Sequence, residues 1–110
     1  MRRPYAHDVV LEAAETDDAA PGAAITVELC GAVPHEGPCP LAPHWTGAQR
    51  DGGLLRLRIL FAAEPDREAE VRARIGAALG GREPEWRLVT SEPGELRPGE
   101  RAHANRIAAS

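Results

Sequence analysis

The sequence predicts a small α+β domain: a mixed three-stranded sheet in the order β-long loop-β-α-β, with one helix packed on one face. Two alternating apolar segments and one segment with helical spacing support this class, and 110 residues is the length of a single domain. The order is compatible with a truncated ferredoxin-like arrangement. We expect residues 1–23 to form a flexible N-terminal arm and residues 24–110 the folded domain, because the stretch AAETDDAAPGAA is small, acidic and non-periodic.

The first strand is predicted in the segment AITVELCG. Ile25, Val27 and Leu29 fall on the buried side of such a strand, because successive side chains point to opposite faces. Cys30 falls on the polar side, at the end of the strand where a long loop begins. A purely structural cysteine would more often lie among the apolar residues, so this position favours a functional thiol.

The remaining elements follow from alternation and from helix-end signals. The segment LLRLRILFAA alternates and predicts the second strand, preceded by a turn at QRDGG. A helix is predicted from Pro65 to the glycine pair Gly80-Gly81, which end it. The segment EWRLVT predicts the third strand, with Trp86 and Leu88 facing inward, and ERAHANRIAAS predicts a short C-terminal helix.

Composition limits the classes of function. The formal net charge of −4 argues against a nucleic-acid partner. No run approaches the roughly 18 apolar residues of a membrane span, so no membrane partner is expected. The beginning of the sequence lacks the continuous apolar stretch of about 7–15 residues that a secretory signal needs. We therefore expect a cytoplasmic protein in a reducing compartment.

The loop over residues 30–53 is the most informative part of the chain. Loops longer than about 12–15 residues are uncommon in compact domains and are usually functional or disordered. Four prolines restrict this one and reduce the entropy lost when it is ordered: Pro34, Pro38, Pro40 and Pro43. We therefore expect something to hold the loop in one shape.

The loop carries four candidate metal ligands, Cys30, His35, Cys39 and His44, spaced C-x4-H-x3-C-x4-H. Two thiolates and two imidazoles suit tetrahedral Zn²⁺, and the two thiolates neutralise its charge. Cu(I) competes for the same thiolates. The spacing departs from the usual zinc knuckle, in which two to four residues separate the cysteines. The sequence thus predicts a small metal-binding protein, with zinc in a structural, storage or sensing role.

Three alternatives remain open. Cys30 and Cys39 could form a structural disulfide, which a reducing compartment disfavours. The loop could instead be a metal-free surface that contacts a protein partner. An enzyme with a cysteine nucleophile is the third alternative, although no orienting acid or oxyanion-hole pattern accompanies the pair. His103 or the His7-Asp8 pair could replace one of the loop ligands if the terminal segments fold back.

Three further expectations concern the surroundings of the loop. Trp45 either covers the metal or anchors the loop. The outer face of the sheet should carry three arginines and be solvated, with Glu28 as their partner: Arg56, Arg58 and Arg87. Leu60 and Val89 on that face could support a homodimer.

Overall fold

The computed structural model describes residues 1–30 and 42–109. Its elements are, in chain order, β1 (Arg3–Glu12), α1 (Ala20–Cys30), β2 (His44–Asp51), β3 (Leu54–Ala63), α2 (Glu68–Leu79), β4 (Arg87–Gly94) and α3 (Arg101–Ala108). Short 3-10 turns lead into α2 and α3, at Pro65–Arg67 and Pro98–Glu100. The described part of the chain is thus a small α+β domain with a four-stranded antiparallel sheet and three α-helices, rather than three strands and one principal helix.

The strand order in the sheet is β2-β3-β1-β4, and every neighbouring pair is antiparallel. Strands β3 and β4 are both antiparallel to β1, so they run in the same direction but are not neighbours, and the mixed sheet predicted from the sequence is wrong. The element order β1-α1-β2-β3-α2-β4 with this strand order is the ferredoxin-like topology. The sheet has α1 and α2 on one face, called here the helix face, and α3 on the other, called the outer face.

The predicted first strand is wrong, because residues 20–30 form helix α1. Pro21, Ile25 and Leu29 are its buried residues, and their spacing of four places them on one side of a helix. Val27 lies between them in sequence but is 53% exposed, because the helix turns it away from the core. Ile25 and Leu29 therefore belong to a helical repeat that begins at Pro21. The apolar Val27 between them produced an apparent strand alternation.

The flexible arm expected over residues 1–23 does not hold for residues 3–12, which form β1. This strand pairs with β3 on one side and with β4 on the other, so it lies in the interior of the sheet. Val9 and Leu11 are buried on its helix face, together with the polar His7. The sequence of β1 does not show a clear alternation of apolar and polar residues, because the polar residues His7 and Asp8 are adjacent. Both find polar partners in the folded domain.

The region 30–53, expected to be loop, contains β2 and the end of α1. Strand β2 joins β3 through the predicted turn, where Gly52 has a φ of 60°. Glycine adopts this left-handed conformation without the steric cost that a Cβ brings. The other candidate loop residues, 31–41, lie outside the described residues.

The second half of the chain follows the prediction closely. Helix α2 buries Val71, Ile75, Ala78 and Leu79 against the strands, and ends at the glycine pair. Helix α3 is also present and buries Ala104 and Ile107. In the described part of the chain, no helix has both the length and the apolar character needed to cross a membrane.

Candidate metal centre

The fold brings together two of the four predicted ligands, from the end of α1 and the beginning of β2. Cys30 is the last residue of α1 and His44 is the first residue of β2. The Sγ atom of Cys30 lies 3.8 Å from Nδ1 of His44, and both side chains are half-buried. The two are fourteen residues apart in sequence, so their approach is a consequence of the fold.

His44 is held by two further contacts. Its Nε2 lies 3.0 Å from the Thr26 hydroxyl, which in turn donates to the carbonyl oxygen of Gly22 at 3.1 Å. That hydroxyl has one proton, so while it donates to Gly22 it can only accept from Nε2. The Nδ1 atom faces the sulfur of Cys30 and lies 3.0 Å from the carbonyl oxygen of Ala42. Because a carbonyl oxygen can only accept, this contact is a hydrogen bond only when Nδ1 carries a proton.

Thr26 contributes to this site by its contact with His44, but the sequence analysis placed it in a strand instead of a helix. In a strand, Thr26 and Cys30 are only two members of one polar face. In helix α1 they are separated by four residues and lie on the same side, one turn apart. The available signal was this spacing, read together with the helical repeat of the buried residues.

The other two predicted ligands, His35 and Cys39, lie outside the described residues. Within residues 1–30 and 42–109, no group of three or more His, Cys, Asp or Glu side chains is arranged to hold a metal ion. Cys30 is disulfide-bonded. The predicted four-ligand site is therefore represented in the described chain by Cys30 and His44.

The two histidines considered as substitutes lie elsewhere. Both ring nitrogens of His7 have partners: Nε2 contacts the Ser91 hydroxyl at 2.8 Å, and Nδ1 accepts from the Arg72 guanidinium at 3.1 Å. Because Arg72 can only donate, Nε2 of His7 carries the ring proton, so it cannot act as a base toward Ser91. His103 is in α3, on the outer face, where its ring meets that of Trp45 edge-on at 5.2 Å.

Trp45 does not cover the Cys30–His44 pair. Adjacent residues of a strand point to opposite faces, so Trp45 points to the outer face while His44 points to the helix face. The indole lies over Gly47, where an added Cβ would come within 2.6 Å of the ring carbon Cη2. The expectation that Trp45 anchors the loop concerns residues outside the described ones, so it stays a prediction.

The arginines expected on the outer face are present, but their partners differ from the prediction. Arg58 donates to Asp8 at 2.8 Å and to both carboxylate oxygens of Glu100, at 2.7 and 3.0 Å. Arg87 forms a similar two-bond contact with Glu12. Glu28 lies on α1 and contacts Arg74 of α2 at 3.8 Å, so it is not a partner of the outer face.

Comparison with known proteins gives no further guide to function: no protein-family model matches the chain, and neither does any curated protein.

Proposed function

We propose that this chain is a small cytoplasmic metal-binding protein whose reduced form holds zinc through Cys30 and His44, together with His35 and Cys39. The observation that carries the proposal is the 3.8 Å separation of Cys30 Sγ and His44 Nδ1. Zinc binds sulfur at about 2.3 Å and nitrogen at about 2.0–2.1 Å, so two such ligands at a tetrahedral angle lie about 3.6 Å apart. The observed separation is close to that value, so a small movement allows both atoms to bind one ion.

The contact between Thr26 and His44 supports the same proposal. Histidines that bind a metal usually donate the proton of their other ring nitrogen to a nearby acceptor, which fixes the tautomer and the orientation of the ring. The bond from Nε2 to the Thr26 hydroxyl fits this pattern, and Nδ1 can bind zinc once it has lost its contact with the Ala42 carbonyl and the proton that this contact requires. Zinc would replace the present contact of Nδ1 with the Ala42 carbonyl.

The disulfide at Cys30 is the main competitor. One sulfur atom cannot be a thiolate ligand and part of a disulfide at the same time, so zinc binding requires the reduced protein. The disulfide at Cys30 favours the second candidate function, a metal-free interaction module whose proline-rich segment contacts a protein partner. The two candidate functions therefore require different redox states: zinc binding requires the reduced protein, and the metal-free module is favoured by the oxidised protein.

Metal analysis of reduced, untagged protein tests the proposal directly. The full chain is reduced with a phosphine, exchanged into metal-free buffer without oxygen, and titrated with zinc against a chromogenic chelator. We expect one zinc per chain, and loss of tight binding in both Cys39→Ser and His44→Ala. His103→Ala is the matched control and should bind as the unchanged protein does, because His103 lies on the outer face.

Cobalt gives a second readout that identifies the ligands. Co²⁺ in place of zinc should show thiolate charge-transfer absorption that is weaker but still present in Cys30→Ser, because Cys39 supplies a second thiolate. Thr26→Val keeps the shape of the side chain and removes its hydroxyl, so it should weaken zinc binding by about 10–100-fold. Reduced protein that binds no zinc, or that binds it equally well in Cys39→Ser and His44→Ala, would favour the metal-free module.

A further inference from the structure

A groove of about 520 Å³ lies on the outer face of the sheet, beside the 3-10 turn that leads into α3. Its volume is within the range of about 300–1,000 Å³ that small-molecule sites have. The floor consists of strand residues, among them Val10 of β1 and Thr90 of β4, and Arg97 and Glu100 line it from the turn. The groove is on the opposite face of the sheet from the Cys30–His44 pair.

One wall of the groove is a positioned aromatic ring. The indole of Trp45 occupies the space above Gly47 that any other side chain would fill, and its neighbour His103 meets it edge-on with an interplanar angle of 66°. Trp45 is nevertheless 43% exposed. A large apolar side chain held in place and partly open to solvent provides a surface for a flat apolar group.

The charges of the groove fall into an internally paired set and an open set. Arg58, only 15% exposed, is held by Asp8 and Glu100, and these three groups carry a net charge of −1. The positive charge of Arg97, which also lines the groove and interacts with Glu100, offsets it. Among residues 1–30 and 42–109, the ion-pair partner of Arg56 is the distant Asp51 at 3.9 Å, and the Arg56 side chain is 53% exposed. Glu92 lines the groove as well and is exposed.

The register of the strands separates these two open charges. Arg56 of β3 lies opposite Val10 of β1, whereas Glu92 of β4 lies opposite Asp8, one step along the same face. Two strand spacings and one two-residue step separate the backbones by about 12 Å. Because both side chains are long, they can reach toward each other and leave space between them for two charged groups of a ligand.

We propose that this groove binds a small zwitterion with a flat apolar group, of which an aromatic amino acid is the simplest example. The carboxylate of the ligand contacts Arg56, its ammonium contacts Glu92, and its ring packs against Trp45. A ligand with a single charge would leave one of the two protein charges without a partner. The site is independent of the metal centre.

Three probe molecules that differ by one charged group test the proposal. L-phenylalanine carries both charges, 3-phenylpropionate lacks the amine, and phenethylamine lacks the carboxylate. Binding is followed by titration of the ¹⁵N-labelled full chain, with the backbone amides of Gly47, Arg56 and Thr90 as reporters. We expect saturable shifts with L-phenylalanine, and binding at least about tenfold weaker for each of the other two.

Variants of the chain give the complementary test. Arg56→Gln and Glu92→Gln alter exposed side chains, so both should fold, and each should weaken L-phenylalanine binding by about tenfold. Arg67→Gln and Glu70→Gln are the matched controls, because these residues form an exposed ion pair near the start of α2. The proposal is overturned if L-phenylalanine gives no saturable shifts, if all three probes bind equally, or if the groove variants bind as well as the controls.

Discussion

His7 is a titratable side chain that is only 2% exposed, on the helix face of β1. Its pKa is lowered to about 4, mainly by burial and also by the adjacent positive charge of Arg72, while Asp8 acts in the opposite direction. The ring accepts a hydrogen bond from Arg72 and donates one to Ser91, so its neutral form is fully satisfied. Protonation would place a proton on Nδ1 of His7, which already accepts a hydrogen bond from the Arg72 guanidinium.

His7 should therefore make stability depend on pH. Its pKa is about 4 in the folded chain and about 6.5 in the unfolded chain, so the unfolded state binds the proton first as the pH falls. The stabilisation is fully present above pH 6.5 and is lost between pH 6.5 and 4, at a total of about 3 kcal/mol. Urea unfolding at intervals across this range measures it.

The control for this prediction is His7→Gln, whose amide can accept from Arg72 and donate to Ser91 but does not titrate. Its free energy of unfolding should be nearly constant between pH 6.5 and 5. An equally steep loss of stability in His7→Gln would assign the pH dependence to other groups.

Gly94 shows how one missing side chain permits an ion pair. An added Cβ at Gly94 would lie 2.7 Å from Nη1 of Arg58 and would also collide with the carboxylate of Asp8. Gly94→Ala should therefore displace that pair and cost about 1–3 kcal/mol in urea unfolding. Gly99→Ala is the matched control, because nothing lies within 4 Å of its Cβ position. Equal stability of the two variants would contradict this role for Gly94.

At the scale of the elements, α3 is attached to the outer face by a small apolar contact and a charged one. Ile107 packs in a cluster with Ala6, Leu60 and Ala62. At the other end, the two-bond contact with Arg58 holds the pKa of Glu100 at about 2. An eight-residue helix is too short to be stable alone in water, so these contacts keep it in place.

Glu100→Gln should loosen this helix selectively. The change removes a charge-assisted bond worth about 1.5–3 kcal/mol, so the backbone amides of α3 should exchange with solvent about tenfold faster. The amides of α2 should keep their rates. Glu70→Gln, which alters an exposed ion pair, should change stability by less than about 1 kcal/mol and leave α3 unaffected. Unchanged exchange in α3 would show that the apolar contact alone holds it.

The elements also show which parts of the fold could be predicted from the sequence. Strand β3 and helix α2 were predictable, because each repeats its own period over several residues and has clear end signals. Helix α1 was not, because Ile25, Val27 and Leu29 alternate as a strand does, and only Pro21 reveals the helical repeat. Strand β1 was missed because the partners of His7 and Asp8 come from distant parts of the chain.

The candidate site, like the fold, could be predicted only in part from the sequence. The spacing of cysteines and histidines selected Cys30 and His44 as candidate ligands. Their approach in the structure depends on α1 being a helix, which the sequence analysis did not predict. Thr26 became visible only once α1 was a helix. The outer-face groove was beyond the sequence analysis, because it depends on the register of four strands and on Arg58 having its charge neutralised by groups about fifty and forty residues away.

At the scale of the whole molecule, the question is whether this domain needs its metal or its disulfide to fold. The sequence alone allows such dependence, since zinc can supply about 10–16 kcal/mol of apparent binding energy, against a net stability of about 5–15 kcal/mol for a typical domain. The structure indicates otherwise. The principal core consists of residues from β1, β3, α1 and α2, together with the buried Ala13, Ala42 and Trp86. Within it, Ile25 and Leu29 already fix α1 to the sheet.

We therefore predict that the chain remains folded when it is reduced and free of metal. Reduced protein in the presence of a chelator should show a single cooperative urea transition and retain the slowly exchanging amides of β1 and β3. Zinc added at 100 times its dissociation constant should raise the free energy of unfolding by about 2.7 kcal/mol, because it binds the folded state only. The increase should disappear in His44→Ala, whose unfolding without metal serves as the baseline. A reduced, metal-free chain without a cooperative transition would show instead that the region around Cys30 is required for folding, and that the core of the sheet and its two helices is insufficient.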